Sequence, residues 1–231
     1  MDFVCAGYFL TKRIGPGRPG AGYLTLSPDR TPFYPDTWAI SWAQVSDEAR
    51  QSRAAALGLP PGSLQTLVPE TTALFDRHFF WPNFIRSVLD AKDLVRLLPP
   101  LPGLTLLGCE IATDEADRLL RAHPPAPRDP SKPQVRPGGM LDMLRLRRPL
   151  EDWGSQRGFD VLCIDHGLIW HTHLDLNLAR SAYDTPLTVD GLLPEYADAT
   201  RAVEVLRKRD MTVPPRVYVP ARIVSYDQAL R

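Results

Sequence analysis

The chain contains 231 residues, of which 44% are hydrophobic and 23% charged, and its 27 basic residues balance its 27 acidic residues. This composition is typical of a globular protein with one large domain or two small ones, and it excludes collagen-like, disulfide-rich and wholly disordered chains. Because the formal net charge is zero, the chain is not expected to bind nucleic acid through bulk charge.

The N-terminal segment and the cysteines indicate the cellular compartment. The apolar run from Phe3 to Leu10 follows no basic region and is too short to cross a bilayer, so we expect neither a signal peptide nor a membrane anchor. Cys5, Cys109 and Cys163 are far apart and lack metal-ligand spacing, which predicts buried free thiols in a reducing compartment. A cytoplasmic protein with no membrane partner is expected.

The first strands are predicted on both sides of a glycine- and proline-rich passage. Residues Phe3 to Thr11 and Tyr23 to Leu26 are rich in strand-forming side chains, and the residues between them include Gly15, Gly17 and Gly20. This spacing matches the dinucleotide-binding pattern GxGxxG, but that site needs a helix to begin there. Prolines within the passage and a strand after it favour a hairpin loop instead.

Helices dominate the middle of the chain. A capped, acidic start predicts a helix over residues 46–57, and apolar residues recur at helical spacing from Leu74 to Phe79. Another helix is predicted to begin at Pro82 and to carry an apolar stripe as far as Leu98. The almost continuous apolar run Leu104–Ile111 predicts a central strand, and Thr113 is expected to cap a helix that ends near Arg121.

The last third of the chain is predicted to be more regular. Residues 124–139 contain six prolines and two glycines, which indicates a mobile loop or linker. Strands are expected over 159–165 and 168–176, a helix over 194–209 and a final strand over 216–225. The fold class is therefore α+β, with a mainly antiparallel sheet and helices packed on one side. We expect a single domain over 1–231, with a boundary inside 124–139 as the alternative.

One hairpin contains a candidate metal site. If His166-Gly167 forms the turn, His171, His173 and Asp175 share one face of the second strand, with Leu162 opposite His171 and Asp160 opposite His173. Two imidazoles and nearby carboxylates can hold zinc or another divalent metal. The alternative, and the favoured interpretation, is a solvated strand face, because antiparallel sheets often keep one face wet. The pairing also places Cys163 opposite Trp170.

Two surface features indicate binding to a partner. Trp38, Trp42 and the run Phe79–Trp81 concentrate aromatic residues that could anchor an interface where they are exposed. The stretch from Arg136 to Arg148 could contact an acidic partner or a phosphate backbone, although a solvated run of charges is the favoured interpretation.

These observations leave two classes of function open. The sequence offers no strong catalytic motif and no cofactor pattern, so the first expectation is a non-catalytic cytoplasmic protein that binds another protein, such as a bacterial immunity or antitoxin-like inhibitor. The second is a metal-dependent hydrolase in which His171 and His173 bind the metal, Asp175 or Asp160 ligates or orients, and a bound water is the nucleophile.

Overall fold

A computed structural model describes residues 1–18, 21–25, 79–80, 84–97, 104–124, 140–165, 168–172, 185–188, 192–209, 217–228 and 230, together with the single positions 48, 51, 55 and 60. The strands form one sheet in the order β3-β4-β1-β5-β8-β6-β7, and β2 pairs with β1. Every strand pair recorded within it is antiparallel. The predicted α+β class with a mainly antiparallel sheet is confirmed.

The strands and helices have the following bounds. The strands are β1 (Phe3–Arg18), β2 (Ala21–Thr25), β3 (Phe79–Phe80), β4 (Phe84–Ile85), β5 (Leu104–Ala112), β6 (Ser155–Asp165), β7 (Leu168–Thr172) and β8 (Val217–Ser225). The helices are α1 (Val88–Leu97), α2 (Thr113–Ala122), α3 (Met140–Leu146) and α4 (Tyr196–Arg209).

The first hairpin forms as predicted, but β1 is longer than the sequence suggested. Thr11 pairs with Thr25 and Arg13 with Tyr23, and the register shifts between Arg13 and Arg18. This irregularity lets the strand continue through the glycine- and proline-rich passage, because a bulge accommodates residues that break a regular ladder. Gly15 and Gly17 lie within β1, where no helix begins, and Gly20 lies outside the described residues.

The helix predicted to begin at Pro82 begins only at Val88. Phe84 and Ile85 instead pair with Phe80 and Phe79 in the sheet. The helical spacing predicted from Leu74 to Phe79 is therefore wrong at Phe79, which lies in β3. Ser87 caps the helix: its Oγ accepts the Asp90 backbone N–H at 3.1 Å and donates to the Asp90 carboxylate at 2.8 Å. A serine with an acidic residue three positions later is a strong start signal that outweighs proline at the first turn.

Two further helix starts differ from prediction by one or two residues. Thr113 does not cap α2, because its hydroxyl donates to the backbone oxygen of Asp2 and Ala112 occupies the cap position. Helix α4 begins at Tyr196, two residues after Pro194, and its first turn is closed by the Ala199 N–H bond to the oxygen of Glu195. Within the predicted helix 46–57, Glu48, Gln51 and Ala55 are helical, and the rest of that stretch lies outside the described residues.

Helices α1 to α4 of the described ranges lie on one face of the sheet, as predicted. Helix α4 packs on the side of β6 and β8 that carries Phe159, Val161 and Tyr218. Helix α2 lies beside α4, since Arg118 and Arg207 both donate to the backbone oxygen of Tyr218. Helices α2 and α3 are in turn in contact with each other. We call this side of the sheet the helix face.

The opposite face is also buried along its central strands. Ile111, Leu162 and Ala221 are fully enclosed, so β5, β8 and residues 158–162 of β6 are buried on both sides. The predicted central strand is confirmed as β5, which lies between β1 and β8. The proline-rich residues 125–139 lie outside the described part of the chain, and strands from before and after them join the same sheet. No helix among the described residues is long and apolar enough to cross a membrane.

Candidate functional site

Residues 147–154, which we call the crossing segment, connect α3 to β6 by running over the helix face. At its start, the oxygen of Arg148 accepts the Cys5 N–H at 2.7 Å. Leu150 then packs onto Gly108 of β5, and Gly154 lies over Val224 and Tyr226 at the end of β8. The segment therefore passes β1, β5 and β8 before the chain enters β6.

Two glycines permit this close approach. A Cβ atom on Gly108 would lie 2.7 Å from Leu150 Cδ1, and one on Gly154 would lie 2.7 Å from Tyr226 Cε1. Both distances are well below an ordinary carbon–carbon contact of about 3.5–4.0 Å. The crossing segment is thus fixed against the sheet by backbone contact that larger residues would prevent.

A buried ion pair lies under the segment. Glu110 is only 3% exposed, and its carboxylate accepts the Arg222 Nε–H at 2.7 Å and the Leu150 N–H at 3.3 Å. The guanidinium of Arg222 also lies 4.1 Å from the ring centroid of Phe3. Glu110 therefore links β5, β8 and the crossing segment, and its charge is balanced inside the fold.

A cavity of about 430 Å³ opens between the crossing segment, α1 and α3. Cys5 and Tyr8 of β1 line its inner end and are almost completely buried. The remaining lining residues come from the start of α1, from α3 and from the crossing segment: Arg86, Ser87, Asp90, Asp142, Met143, Leu146, Arg148, Pro149 and Glu151. The cavity thus combines apolar surface with charges of both signs.

The two ionisable groups at the inner end are held in their neutral forms. Burial raises the pKa of the Cys5 thiol to about 12, and the carboxylates of Glu110 and Glu151 add to this effect. Burial likewise raises the pKa of Tyr8, again with a contribution from both carboxylates. A protonated thiol and phenol are poor nucleophiles and bases at neutral pH. These two groups are therefore suited to binding rather than to covalent chemistry.

Aromatic rings continue from the cavity to the surface. The Tyr8 and Tyr226 ring centroids are 5.7 Å apart, and Trp153 meets Tyr226 edge to face at 4.7 Å. The Tyr226 hydroxyl donates to the backbone oxygen of Glu151 at 2.9 Å, and this hydrogen bond connects the crossing segment to the aromatic cluster of Tyr8, Tyr226 and Trp153. Trp153 is nevertheless 48% exposed. Its position is therefore set by packing while much of its surface remains accessible.

Large apolar side chains are exposed on the same three elements. Leu89 of α1 is 72% exposed and Leu146 of α3 is 53% exposed. Together with Trp153 on the crossing segment, they lie on elements that line the cavity. Of these three residues, Leu146 lines the cavity itself. Exposed apolar side chains beside a concave surface are typical of a binding site.

The arginines of the predicted basic stretch are partly neutralised. Arg145 forms an ion pair with Asp142 one helical turn earlier, and Arg147 forms one with Asp117 of α2. Arg145 also donates to the backbone oxygen of His123 at 3.0 Å, so both arginines connect α3 and its C-terminal end to the region of α2. Their pairing supports the interpretation of this stretch as ordinary surface charge over that of a contact for phosphates.

The hairpin that carries the predicted metal ligands has the predicted register. Asp165 pairs with Leu168, Cys163 with Trp170 and Leu162 with His171. Of the four proposed ligands, Asp160 is described in full and His171 by its backbone in β7, whereas His173 and Asp175 lie outside the described residues. Within the described part of the chain, no group of three or more His, Cys, Asp or Glu side chains could hold a metal.

Leu162, which pairs with His171, and Asp160 on the same side of β6 are shielded from solvent. Leu162 is fully buried, and Asp160, two residues away on the same side of the strand, is 1% exposed. The Asp160 carboxylate accepts the Val161 N–H at 2.7 Å. The favoured interpretation of a solvated strand face is therefore wrong for Asp160 and Leu162, because residues 158–162 of β6 are buried on both sides and alternation carries no polar signal there.

Comparisons with known proteins add no assignment: the chain matches no protein-family model, no curated protein and no solved structure. The cavity residues were missed by sequence reasoning because they come from four separate elements. The aromatic residues predicted as interface anchors, Trp38, Trp42 and Trp81, lie outside the described residues, as do the side chains of Phe79 and Phe80. Trp153, which no pattern singled out, is the exposed tryptophan that the structure describes.

Proposed function

We propose that this chain acts by binding another protein, in the manner of a bacterial immunity or antitoxin-like inhibitor, and that the surface around the cavity is its contact site. The observation that carries the proposal is the exposure of Leu89, Leu146 and Trp153 on elements that line the cavity. Tryptophan is enriched among the few residues that contribute most of the binding energy of protein interfaces.

The way this surface is built also favours binding. Trp153 is held against Tyr226, and the crossing segment is fixed by the Cys5–Arg148 and Tyr226–Glu151 hydrogen bonds. A contact surface that is ordered before the partner arrives loses less conformational entropy on binding. The mixed charges of the lining provide a polar rim that can select the partner.

A cytoplasmic location forms part of this proposal. Cys5 and Cys109 are buried free thiols, which suits a reducing compartment. The structure describes no side chain for Cys163, so its predicted burial stays a prediction.

Copurification with variants tests the proposal. The tagged chain is expected to recover a stoichiometric protein partner from the native host, and Trp153→Ala combined with Leu146→Asp should weaken that complex at least tenfold, as expected for interface anchors. Glu204→Ala on the exposed side of α4 is the matched control and should bind normally. Failure to recover a partner under gentle conditions, or equal binding by the double variant, would contradict the proposal.

A metal-dependent hydrolase is the second candidate. It is favoured by the register that sets His171 opposite Leu162, with the buried carboxylate of Asp160 on the same side of β6. Elemental analysis of tag-free protein should then find about one zinc or other divalent metal per chain, lost in His171→Ala and His173→Ala. His123→Ala, at the end of α2, is the control. Equal metal content in all variants, or none in the parent chain, would exclude this candidate.

A further inference from the structure

The described strands and helices follow the same order in the two halves of the chain. In the first half, the hairpin of β1 and β2 is followed by the short strands β3 and β4, by α1 and by β5. In the second half, the hairpin of β6 and β7 is followed by α4 and β8. The first strand of each hairpin also pairs with the last strand of its own half, β1 with β5 and β6 with β8. Both halves therefore contain a β-β-α-β unit.

Each unit has a glycine bulge at the same point of its first strand. The register of β1 against β5 shifts between Cys5 and Gly7, and that of β6 against β8 shifts between Gln156 and Gly158. Gly7 has φ +136° and Gly158 has φ +145°, a backbone conformation that favours glycine. A bulge bends its strand and redirects the side chains, so it is a specific feature of a strand and not a general property of antiparallel sheets.

The chain enters the helix of each unit through an equivalent strand contact. Ile85 pairs antiparallel with Tyr8, the residue after the first bulge. Leu193 forms an antiparallel bridge with Phe159, the residue after the second bulge. Ile85 and Leu193 are both almost completely buried. The segment before α1 and the segment before α4 are thus fixed to the same position of the sheet plan.

The two helices also begin alike. The Ala91 N–H donates to the oxygen of Ser87 at 3.1 Å, and the Ala199 N–H donates to the oxygen of Glu195 at 3.2 Å. Both alanines are fully buried. When the helices are aligned on these alanines, the residues that coincide are Asp90 with Asp198, Ala91 with Ala199, and Val95 with Val203. The correspondence therefore extends from the strand pairing to the sequence.

The two units are related by an approximate two-fold axis. Gly7 of the first bulge pairs with Cys109, and Gly158 of the second bulge pairs with Ile223. Cys109 and Ile223, which are equivalent residues of β5 and β8, then pair with each other. Antiparallel strands that meet through equivalent residues are related by a two-fold rotation, as in the isologous interface of a symmetric dimer.

We infer that the chain contains two copies of one β-β-α-β unit, and that the pairing of β5 with β8 is the interaction surface between them. The inner strand of each unit fits a second copy of the same unit, so the protein is a single-chain counterpart of a two-fold dimer. This inference does not depend on the proposed binding function. Helix α3 and the crossing segment lie in the connection between the units, so the cavity that they line is an addition to the shared plan.

An exchange of helix sequences in the full chain tests whether the units are copies. In the forward variant, residues 89–97 are replaced with the sequence of residues 197–205, which leaves Asp90, Ala91 and Val95 unchanged. The control variant carries the sequence of residues 197–205 in reverse order. It has the same composition and charge, but it places valine at the fully buried position 91 and alanine at position 95. Overpacking at one position and lost methyl groups at the other destabilise a core.

Urea denaturation followed by circular dichroism compares the two variants. The forward variant should unfold in one cooperative transition, with a midpoint at least about 1 M urea above that of the reversed variant. Equal midpoints, or a forward variant that does not fold, would overturn the inference, because an unrelated helix gains nothing from its own residue order.

A crosslink tests the axis independently. In a chain that lacks the other two cysteines, Ile223→Cys should form an intrachain disulfide with Cys109 in the presence of oxidised glutathione. Directly opposite Cα atoms of an antiparallel pair are about 4.5–5.5 Å apart, which is within the range of a disulfide. Val224→Cys is the matched control, because successive side chains of a strand point to opposite faces. Peptide mass spectrometry identifies the linked residues. No crosslink in Ile223→Cys, or equal crosslinking in Val224→Cys, would also overturn the inference.

Discussion

Removal of Arg222 should expose the energetic role of the buried ion pair. Arg222→Met keeps most of the side-chain volume but removes the Nε donor that bonds Glu110 at 2.7 Å. Glu110, which is 3% exposed, would then keep the Leu150 N–H as its remaining described hydrogen bond. A charge left buried in this way is strongly destabilising, because neither water nor a counter-charge compensates it.

The expected cost follows from the burial of the two partners. Loss of one member of a buried pair costs about 3–5 kcal/mol of unfolding free energy. The Arg222 side chain is 30% exposed, so water can partly reach the vacated space and the lower end, about 3 kcal/mol, is expected. Adding Glu110→Gln removes the stranded charge and keeps an acceptor for Leu150, so the double variant should lose only about 1 kcal/mol.

Urea denaturation of the parent, both single variants and the double variant measures these quantities. The double variant should be about 2 kcal/mol more stable than Arg222→Met, and the coupling free energy between positions 110 and 222 exceeds this difference by the cost of Glu110→Gln alone. Far-ultraviolet circular dichroism supplies the control for native secondary structure. A loss below about 1 kcal/mol in Arg222→Met, or a double variant no more stable than that single variant, would refute the reasoning.

Three other substitutions test separate parts of the fold. Gly158→Ala should lower the free energy of unfolding by on the order of 2 kcal/mol in urea denaturation. Gly158 has φ +145°, and a Cβ there would lie 2.7 Å from the backbone oxygen of Leu193. A loss below about 0.5 kcal/mol would contradict the assigned backbone strain. Ser87→Ala should cost about 1 kcal/mol through loss of the α1 cap, with Ser155→Ala as a control that leaves stability unchanged. The Cys5 pKa is raised to about 12 from 9.0, so the buried thiol favours folding below pH 9 and this contribution disappears as the pH rises to 12. Between pH 9 and pH 11, the free energy of unfolding of the parent should therefore fall more steeply with pH than that of Cys5→Ala, with slopes that differ by about 1 kcal/mol per pH unit. Parallel plots of unfolding free energy against pH would contradict the burial of the Cys5 thiol.

The sheet was largely predictable because its signals are local. The run Leu104–Ile111 is apolar at nearly every position, a pattern typical of a strand that is buried on both faces. The pairing of Leu162 with His171 follows from a two-residue turn between β6 and β7. Helix starts were less predictable. Proline at position 82 is compatible with a first turn, but the pairing of Phe84 and Ile85 in the sheet depends on strands distant in sequence.

The cavity could not be predicted, because its parts are joined by non-local contacts. Cys5 and Glu151 are brought together only when the crossing segment lies over β1, which in turn requires glycine at positions 108 and 154. No periodicity marks such glycines in the sequence. The burial of Asp160 was unpredictable for a similar reason. Alternation of polar and apolar residues along a strand does not indicate whether other parts of the chain cover its polar side.

The crossing segment separates the residues that hold it from those that meet solvent. Leu150 and Gly154 fix it to the sheet, while positions 151, 152 and 153 between them are exposed. Substitutions at positions 151 and 152 can change the charge and shape offered to a partner at little cost in folding stability, whereas Trp153 also packs against Tyr226. Binding specificity could therefore diverge between descendants of this chain through a few exposed codons, with the supporting sheet unchanged.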